Sequence, residues 1–351
     1  MKLPVYKKII FVIIFFGMLF LSVEIVGLFR NFRFDKNVTQ FYVPMLADRK
    51  FVLEDEELFW KFKPSVVILS RWTYPSHIKI NSEGFRSDSE YSEKKEEGVK
   101  RIACIGNSVT FGYRRSLEES FEYVLESKLN GEASNSAAEA GAGKKFEVYN
   151  FGVPGYTSHQ GLIVLKRNVL KFKHDYLTLC FGINDERLVS IPDKIRKVNI
   201  GFLSKFEPYY QKLFTYKVFM KLYYDNVEYK LKSKSMRPRV SLEDYEKNLD
   251  DIIEICKKNN IVPIIITPPY NPTFNDAFSE SLEKYRESAL KIAEKNNCPA
   301  ADFSKNVTET FKTRQINYIW DSCHPDVEGN IALAEMIRKI IVEYKPSPSK
   351  K

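Results

Sequence analysis

Two rhythms of apolar and polar residues alternate along this chain. Short, nearly continuous apolar runs have the length and composition of buried strands: Val99–Gly106, Phe146–Gly152, Tyr176–Gly182, Ile261–Pro269 and a weaker run, Cys298–Ser304. Between and after them lie stretches with apolar residues at helical spacing: Ser116–Asn130, His159–Lys173, Ser241–Asn260, Ser279–Asn297 and Val327–Lys345. Ser116 and Glu119 fit a capping box at the start of the first. Strands that alternate with helices predict an α/β domain whose parallel sheet is covered on both faces.

One stretch obeys neither rhythm. Ile9–Phe29 is almost wholly apolar, with Glu24 its single charge, and Lys7 and Lys8 precede it. About twenty such residues are what a membrane-spanning helix requires. Glu24 lies near one end, where a carboxylate reaches the interface. A cleaved signal peptide would have a shorter apolar run and a small-residue cleavage site, so the pattern favours an uncleaved single-pass anchor. Lys2, Lys7 and Lys8 before the span nearly balance Arg30, Arg33 and Lys36 after it, so the charge count leaves orientation close to a tie. An N-terminal anchor ahead of a large domain usually exports that domain, which is the expectation adopted; five cysteines weigh mildly against it.

The expected organisation is therefore a tip and anchor over 1–36, a juxtamembrane segment over 37–98, a core domain over 99–345 and a tail over 346–351. Within the juxtamembrane segment, His77–Asp88 reads as a short strand and turn, and Ser89–Gly98 as a charged linker. The core is interrupted by a basic, aromatic insertion over 188–239, readable as a helix pair packed on the domain, a lid over a site, or a surface lying on a bilayer.

Composition changes this picture little. The chain has 351 residues, 44% hydrophobic and 28% charged, which is ordinary for a globular core. The net charge of +9 fits nucleic acid or anionic lipid, but it is spread along the chain with no finger, homeodomain or RNA-binding signature, so no nucleic-acid partner is expected. Cys104, Cys180, Cys256, Cys298 and Cys323 show neither metal spacing nor a disulfide framework.

The candidate chemistry lies just beyond the strands. Ligands of an open parallel sheet bind past the carboxyl ends of its strands. "GNS" ending in Ser108 follows the first strand, "GVPGYTS" with Gly155 the second, and "GIND" with Asn184 the third; "DSCH", with Asp321 and His324, precedes the last helix. A serine hydroxyl needs a base, and the base needs an orienting carboxylate. An oxyanion needs donors placed in advance, which the amides of Ser108 and Gly155 and the side chain of Asn184 can supply. Each stretch alone reads as a turn, a cap or a surface pair; the four in sheet order read as one site. No HExxH, CxxC or aspartate cluster announces a metal.

This pattern resembles the SGNH hydrolases, the GDSL esterase/lipase superfamily. Its four blocks fall on "GNSVTFG", "NFGVPGYTS", "GIND" and "DSCH", over about Lys100 to Tyr344. The resemblance implies a three-layer α/β/α sandwich of about five parallel strands, a Ser108–His324–Asp321 triad, an oxyanion hole of Ser108, Gly155 and Asn184, and no metal or organic cofactor. One departure is Asn107, where the family usually has aspartate; the expectation is a small effect on loop stability with activity kept. The implied function is a membrane-anchored serine esterase that removes acyl groups, acetyl among the candidates, from a cell-envelope glycan or lipid. Two alternatives use the same residues differently: an O-acyltransferase in polysaccharide modification, and a catalytically idle binding module on the membrane.

Overall fold

The computed structural model describes residues 4–29, 51–69, 77–133, 145–197, 213–219, 222, 236–273 and 277–344. The chain divides into two compact units, Met1–Val38 with Asn199–Met236, and Thr39–Val198 with Arg237–Lys351. Residues 134–144, most of the 188–239 insertion and the tail lie outside the described residues.

In the first unit, α1 (Val5–Phe29) is long and apolar enough to cross a membrane. Its one acidic residue, Glu24, is hydrogen-bonded within this unit. The Glu24 carboxylate accepts hydrogen bonds from the Phe214 amide (2.5 Å), the Thr215 amide (2.9 Å) and the Thr215 hydroxyl (2.5 Å) of the insertion. Three donors on one carboxylate offset the cost of carrying it on an apolar helix. Gly27 lies so close to the Phe214 ring that any side chain there would collide with it.

The second unit opens with two antiparallel hairpins, β1 (Val52–Asp55) with β2 (Phe59–Phe62), and β3 (Val66–Leu69) with β4 (His77–Ile80). Trp60, Phe62, Ile68 and Ile80 are almost wholly buried, so the described part of the juxtamembrane segment is built into this unit.

The sheet follows from the apolar runs. After β5 (Lys100–Gly106) come the short α2 (Ser108–Phe111), α3 (Phe121–Ala133), β6 (Phe146–Gly152), α4 (Ser158–Val164) and β7 (Tyr176–Cys180). The stub strands β8 (Leu188–Val189) and β9 (Arg237–Pro238) pair antiparallel at the base of the insertion. Then α5 (Leu242–Lys258), β10 (Val262–Ile266), α6 (Ala277–Lys295), β11 (Ala300–Ala301), α7 (Phe303–Arg314) and α8 (Val327–Glu343) complete the chain. The five core strands run parallel in the order β11-β10-β7-β5-β6. From Arg101 to Gly106 the interior strand β5 is buried on both faces, which is why it reads as an unbroken run rather than an alternation. On one side α3 packs on α8, and Phe121, Leu125, Leu333 and Ile337 close over Ile102, Cys104 and Ile264. A second helix group packs α4 and α6 against α5.

Three expected elements change shape. The helix expected over His159–Lys173 is α-helical only to Val164 and continues as a π turn (Leu165–Val169) and a 3-10 turn (Leu170–Phe172). The Ser116–Glu119 capping bonds form (2.9 and 3.3 Å), but in a turn; the helix itself begins at Phe121, where the Ser120 hydroxyl accepts from the Tyr123 amide at 3.5 Å. The run Cys298–Ser304 is a strand only at Ala300–Ala301, because the Asp302 side chain accepts from the Lys305 amide and starts α7. This helix adds to the predicted ones, and Phe303, Val307 and Phe311 recur at its helical spacing.

Candidate active site

Ser108 begins α2 directly after β5. Asn107 is fully buried, and its side-chain oxygen accepts from the Val109 amide at 2.9 Å, so the residue that replaces the family's usual aspartate caps the turn. The Asn107 Nδ2 has no partner among the described residues. Gly152, at the end of β6, touches the backbone of α2 so closely that a Cβ would collide with Thr110 and Phe111.

His324 reaches Ser108 across 216 residues of sequence, with Nε2 2.7 Å from Oγ. The other ring nitrogen, Nδ1, is 2.7 Å from Asp321 Oδ2. Asp321 Oδ1 accepts from the amides of Cys323 (2.9 Å) and His324 (2.8 Å), so the carboxylate is held by its own loop. Asn271, after β10, pins that loop by donating from Nδ2 to the Asp321 carbonyl (2.7 Å) and from its amide to the Ser322 carbonyl (2.9 Å). Burial would raise the Asp321 pKa; the His324 bond and charge and the two amides outweigh it and hold the carboxyl below its usual range. Burial would lower the His324 pKa; the Cys323 sulfur and the Asp321 carboxylate outweigh that and push it above the ordinary 6.5.

Gly155 and Asn184 follow the two strands that flank β5. Gly155 takes φ +84°, a conformation a side chain would strain, and its loop carries the buried Tyr156. Asn184 Nδ2 donates to the Tyr156 carbonyl at 3.0 Å, which ties the two loops together. Among the described residues, nothing accepts from the Ser108 or Gly155 amide. Asp185 turns inward, accepting from the Gly182 amide (2.9 Å), the Ser158 amide (2.9 Å) and the Ser158 hydroxyl (2.6 Å); burial nevertheless pushes its pKa up to about 6.

Two buried arginines that the motifs did not flag hold these loops from outside. Arg86 Nη1 donates to the carbonyls of Phe111 (2.8 Å) and Gly112 (2.7 Å), and Nη2 to that of Arg115 (2.7 Å), behind the serine turn. Arg239, 1% exposed at the end of the insertion, donates from Nη1 to the Gly155 carbonyl at 2.7 Å and pairs with Asp193 at 2.8 Å. The β1–β2 hairpin supports the same loop, with the Tyr156 hydroxyl on the Trp60 carbonyl (2.6 Å) and Gln160 Nε2 on the Leu58 carbonyl (2.6 Å). No local pattern marks these contacts.

Asp321, Cys323 and His324 are the one group among the described residues whose ligand atoms lie close enough, within 4.8 Å, to hold a metal. Both His324 nitrogens are already in hydrogen bonds, so a metal would have to displace Asp321 or Ser108.

A short serine turn at the carboxyl edge of a five-stranded parallel sheet, bonded to a histidine and an aspartate, defines a serine-hydrolase type of architecture. The chain belongs to the GDSL-like lipase/acylhydrolase family, whose model matches residues 104–331. It is an ester-hydrolysing enzyme of that family. No curated protein matches the sequence. Similar solved structures include an acetylxylan esterase from Geobacillus stearothermophilus (18% identity, covering 73% of this chain and 100% of that one, TM-score 0.45). Others are an alpha/beta hydrolase enzyme from the metagenome of Lake Arreo (18%, 68% and 93%, TM-score 0.45) and a second acetyl xylan esterase (15%, 69% and 99%, TM-score 0.48).

Proposed function

We propose that the protein is a membrane-anchored serine esterase that removes acyl groups from a cell-envelope glycan or lipid. The observation that carries this reading is the unbroken chain of contacts from Ser108 Oγ through His324 to Asp321, 2.7 Å at each step. Ser108 Oγ attacks the ester carbonyl while His324 Nε2 takes its proton. The oxyanion is met by the amides of Ser108 and Gly155 and by Asn184. The bond to the alcohol then breaks, and His324 returns the proton to the leaving oxygen. Water, deprotonated by the same histidine, attacks the acyl-enzyme and releases the acid and Ser108. Asp321 holds the imidazole in the tautomer that accepts at Nε2 and stabilises the imidazolium.

The anchor reading rests on α1, its apolar length and its basic flank. In this reading the helix spans the membrane once and the catalytic domain lies outside the cytoplasm. Fusion of a reporter active only after export, placed after residue 351, reports the side: a silent reporter reverses the topology.

The full chain in detergent micelles, supplied with a chromogenic acetyl ester, tests the mechanism. Wild type turns over, and Ser108→Ala and His324→Ala each lose roughly 10⁴-fold or more. Wild-type activity surviving in Ser108→Ala would overturn the mechanism.

A further inference from the structure

The rim beside the catalytic histidine carries chemistry that ester hydrolysis does not need. Trp320 stacks on the His324 ring at 6.1 Å between centroids with 25° between planes, yet remains 39% exposed. Tyr113 lies tilted against the same ring at 4.8 Å between centroids. Two guanidinium groups lie over these aromatics. Arg114 is 5.3 Å from the Trp320 ring centre and 5.7 Å from that of Tyr113; Arg115 is 5.8 Å from Trp320. Arg115 is also tied down, its Nε donating to the Pro325 carbonyl at 3.3 Å. Arg114 is exposed and sits in the left-handed region at φ +57°, a conformation that costs a non-glycine residue free energy. Among the described residues, no carboxylate pairs with either arginine.

We infer that Trp320, Arg114 and Arg115 form a subsite for an anionic sugar, so that the ester substrate is an acylated acidic glycan. This rests on the esterase reading of the adjoining residues. The parts divide the work by their chemistry. The part of the indole left exposed beside His324 and the guanidinium groups offers an apolar surface against which the C–H face of a sugar ring can pack. A guanidinium stacked on an aromatic ring keeps its N–H edge free, and that planar fork matches a carboxylate or phosphate. With no carboxylate of the described residues in place, these guanidinium edges are open to an acceptor from solvent or from a ligand. The stack on His324 fixes the distance scale: a sugar on Trp320 lies about one residue from the ester that Ser108 attacks. The shared chemistry is an anion on a saccharide, whether a uronate carboxylate or a sugar phosphate. The flat indole favours a ring over a flexible lipid headgroup.

The test uses the full chain in detergent micelles and reads both turnover and binding. The kcat/KM for acetylated galacturonate oligosaccharides is expected to exceed that for acetylated xylo-oligosaccharides by roughly 10-fold or more, the worth of one charge-assisted hydrogen bond. Arg114→Gln should erase most of that ratio, and so should raised salt. Binding is followed separately by Trp fluorescence, with unacetylated trigalacturonate, glucose 6-phosphate and neutral xylotriose as probes. Either acidic sugar, but not xylotriose, should change the fluorescence, and Trp320→Phe should remove the change. Trigalacturonate against glucose 6-phosphate distinguishes carboxylate from phosphate. Equal turnover of acidic and neutral esters, or equal loss of both in Arg114→Gln, overturns the inference. So does preferred hydrolysis of lysophosphatidylglycerol with no response to either acidic sugar, which would assign the rim to a lipid. A fluorophosphonate probe separates the two levels. Failure to label Ser108 sinks the esterase reading, whereas labelling without acidic preference sinks only the subsite.

Discussion

Two histidines, one half-buried and one buried, stand at opposite ends of the same sheet, and their environments pull their protons in opposite directions. His324, at the carboxyl edge, has a carboxylate 2.7 Å from Nδ1 and a hydroxyl 2.7 Å from Nε2. His174 precedes β7 at the amino edge, is 5% exposed, and has no hydrogen-bond partner for either nitrogen among the described residues. The rings of Tyr149, Phe151 and Phe172 surround it at 5.6–6.2 Å. Burial, reinforced by the charges of Arg101 and Lys95, pushes its pKa down to about 3. Burial acts in the same direction on both; the partner decides the outcome. A base must be stabilised once it holds a proton, and the carboxyl edge supplies that stabilisation where the amino edge supplies cations.

The largest effect expected from breaking this comparison is at Asp321. Asp321→Asn removes the charge that favours imidazolium and should lower kcat roughly 10³- to 10⁴-fold, measured with the chromogenic ester. His174→Phe should leave kcat unchanged; a comparable loss there would remove the distinction between the two ends. The next effect separates the two arginines that serve those ends. Arg239→Met frees the Gly155 carbonyl and strands the buried Asp193. It should lower kcat roughly 10- to 100-fold with a smaller change in KM, and cost about 3–5 kcal/mol in denaturant unfolding. Arg101, 1% exposed, donates to the carbonyls of Ser92 (2.9 Å) and Phe172 (2.6 Å) and pairs with Glu147. Arg101→Met should therefore destabilise the fold and spare kcat in the folded fraction.

Two pH effects sharpen the contrast further. The His324 pKa is raised, and only the neutral ring accepts the Ser108 proton, so kcat/KM should rise with pH with a midpoint above 6.5. Cys323→Ala should move that midpoint down, because the sulfur is one of the groups that raise it; an unmoved midpoint removes the sulfur from the account. The smallest effect is on stability. His174 has a depressed pKa when folded, so the unfolded chain binds the extra proton between pH 6.5 and about 3. Its contribution is complete above pH 6.5 and is lost as pH falls. Between pH 7.5 and 5 wild type should lose roughly 2 kcal/mol more than His174→Phe, read from urea unfolding at the two pH values.

The strand–helix alternation, the parallel sheet and the order of the four polar blocks were legible in the chain itself. Periodicity is a local property, and a central parallel strand must be apolar on both faces wherever it is placed. The polar residues of each block also sit directly after their strands, where a parallel sheet gathers its loops. What holds those loops was not legible. Arg86, Arg239, Asn271 and the β1–β2 hairpin act through contacts with residues far away in sequence, as in the 84 residues between Arg239 and Gly155. The same holds for Glu24, whose hydrogen-bond partners lie about 190 residues further on. The protonation of each histidine was equally hidden, because a pKa is set by which charges and apolar groups surround a ring in space. Sequence alone determined which residues stand at the ends of the strands; the tertiary structure decided which of them are held, paired and charged, since those energies depend on distances that only packing defines.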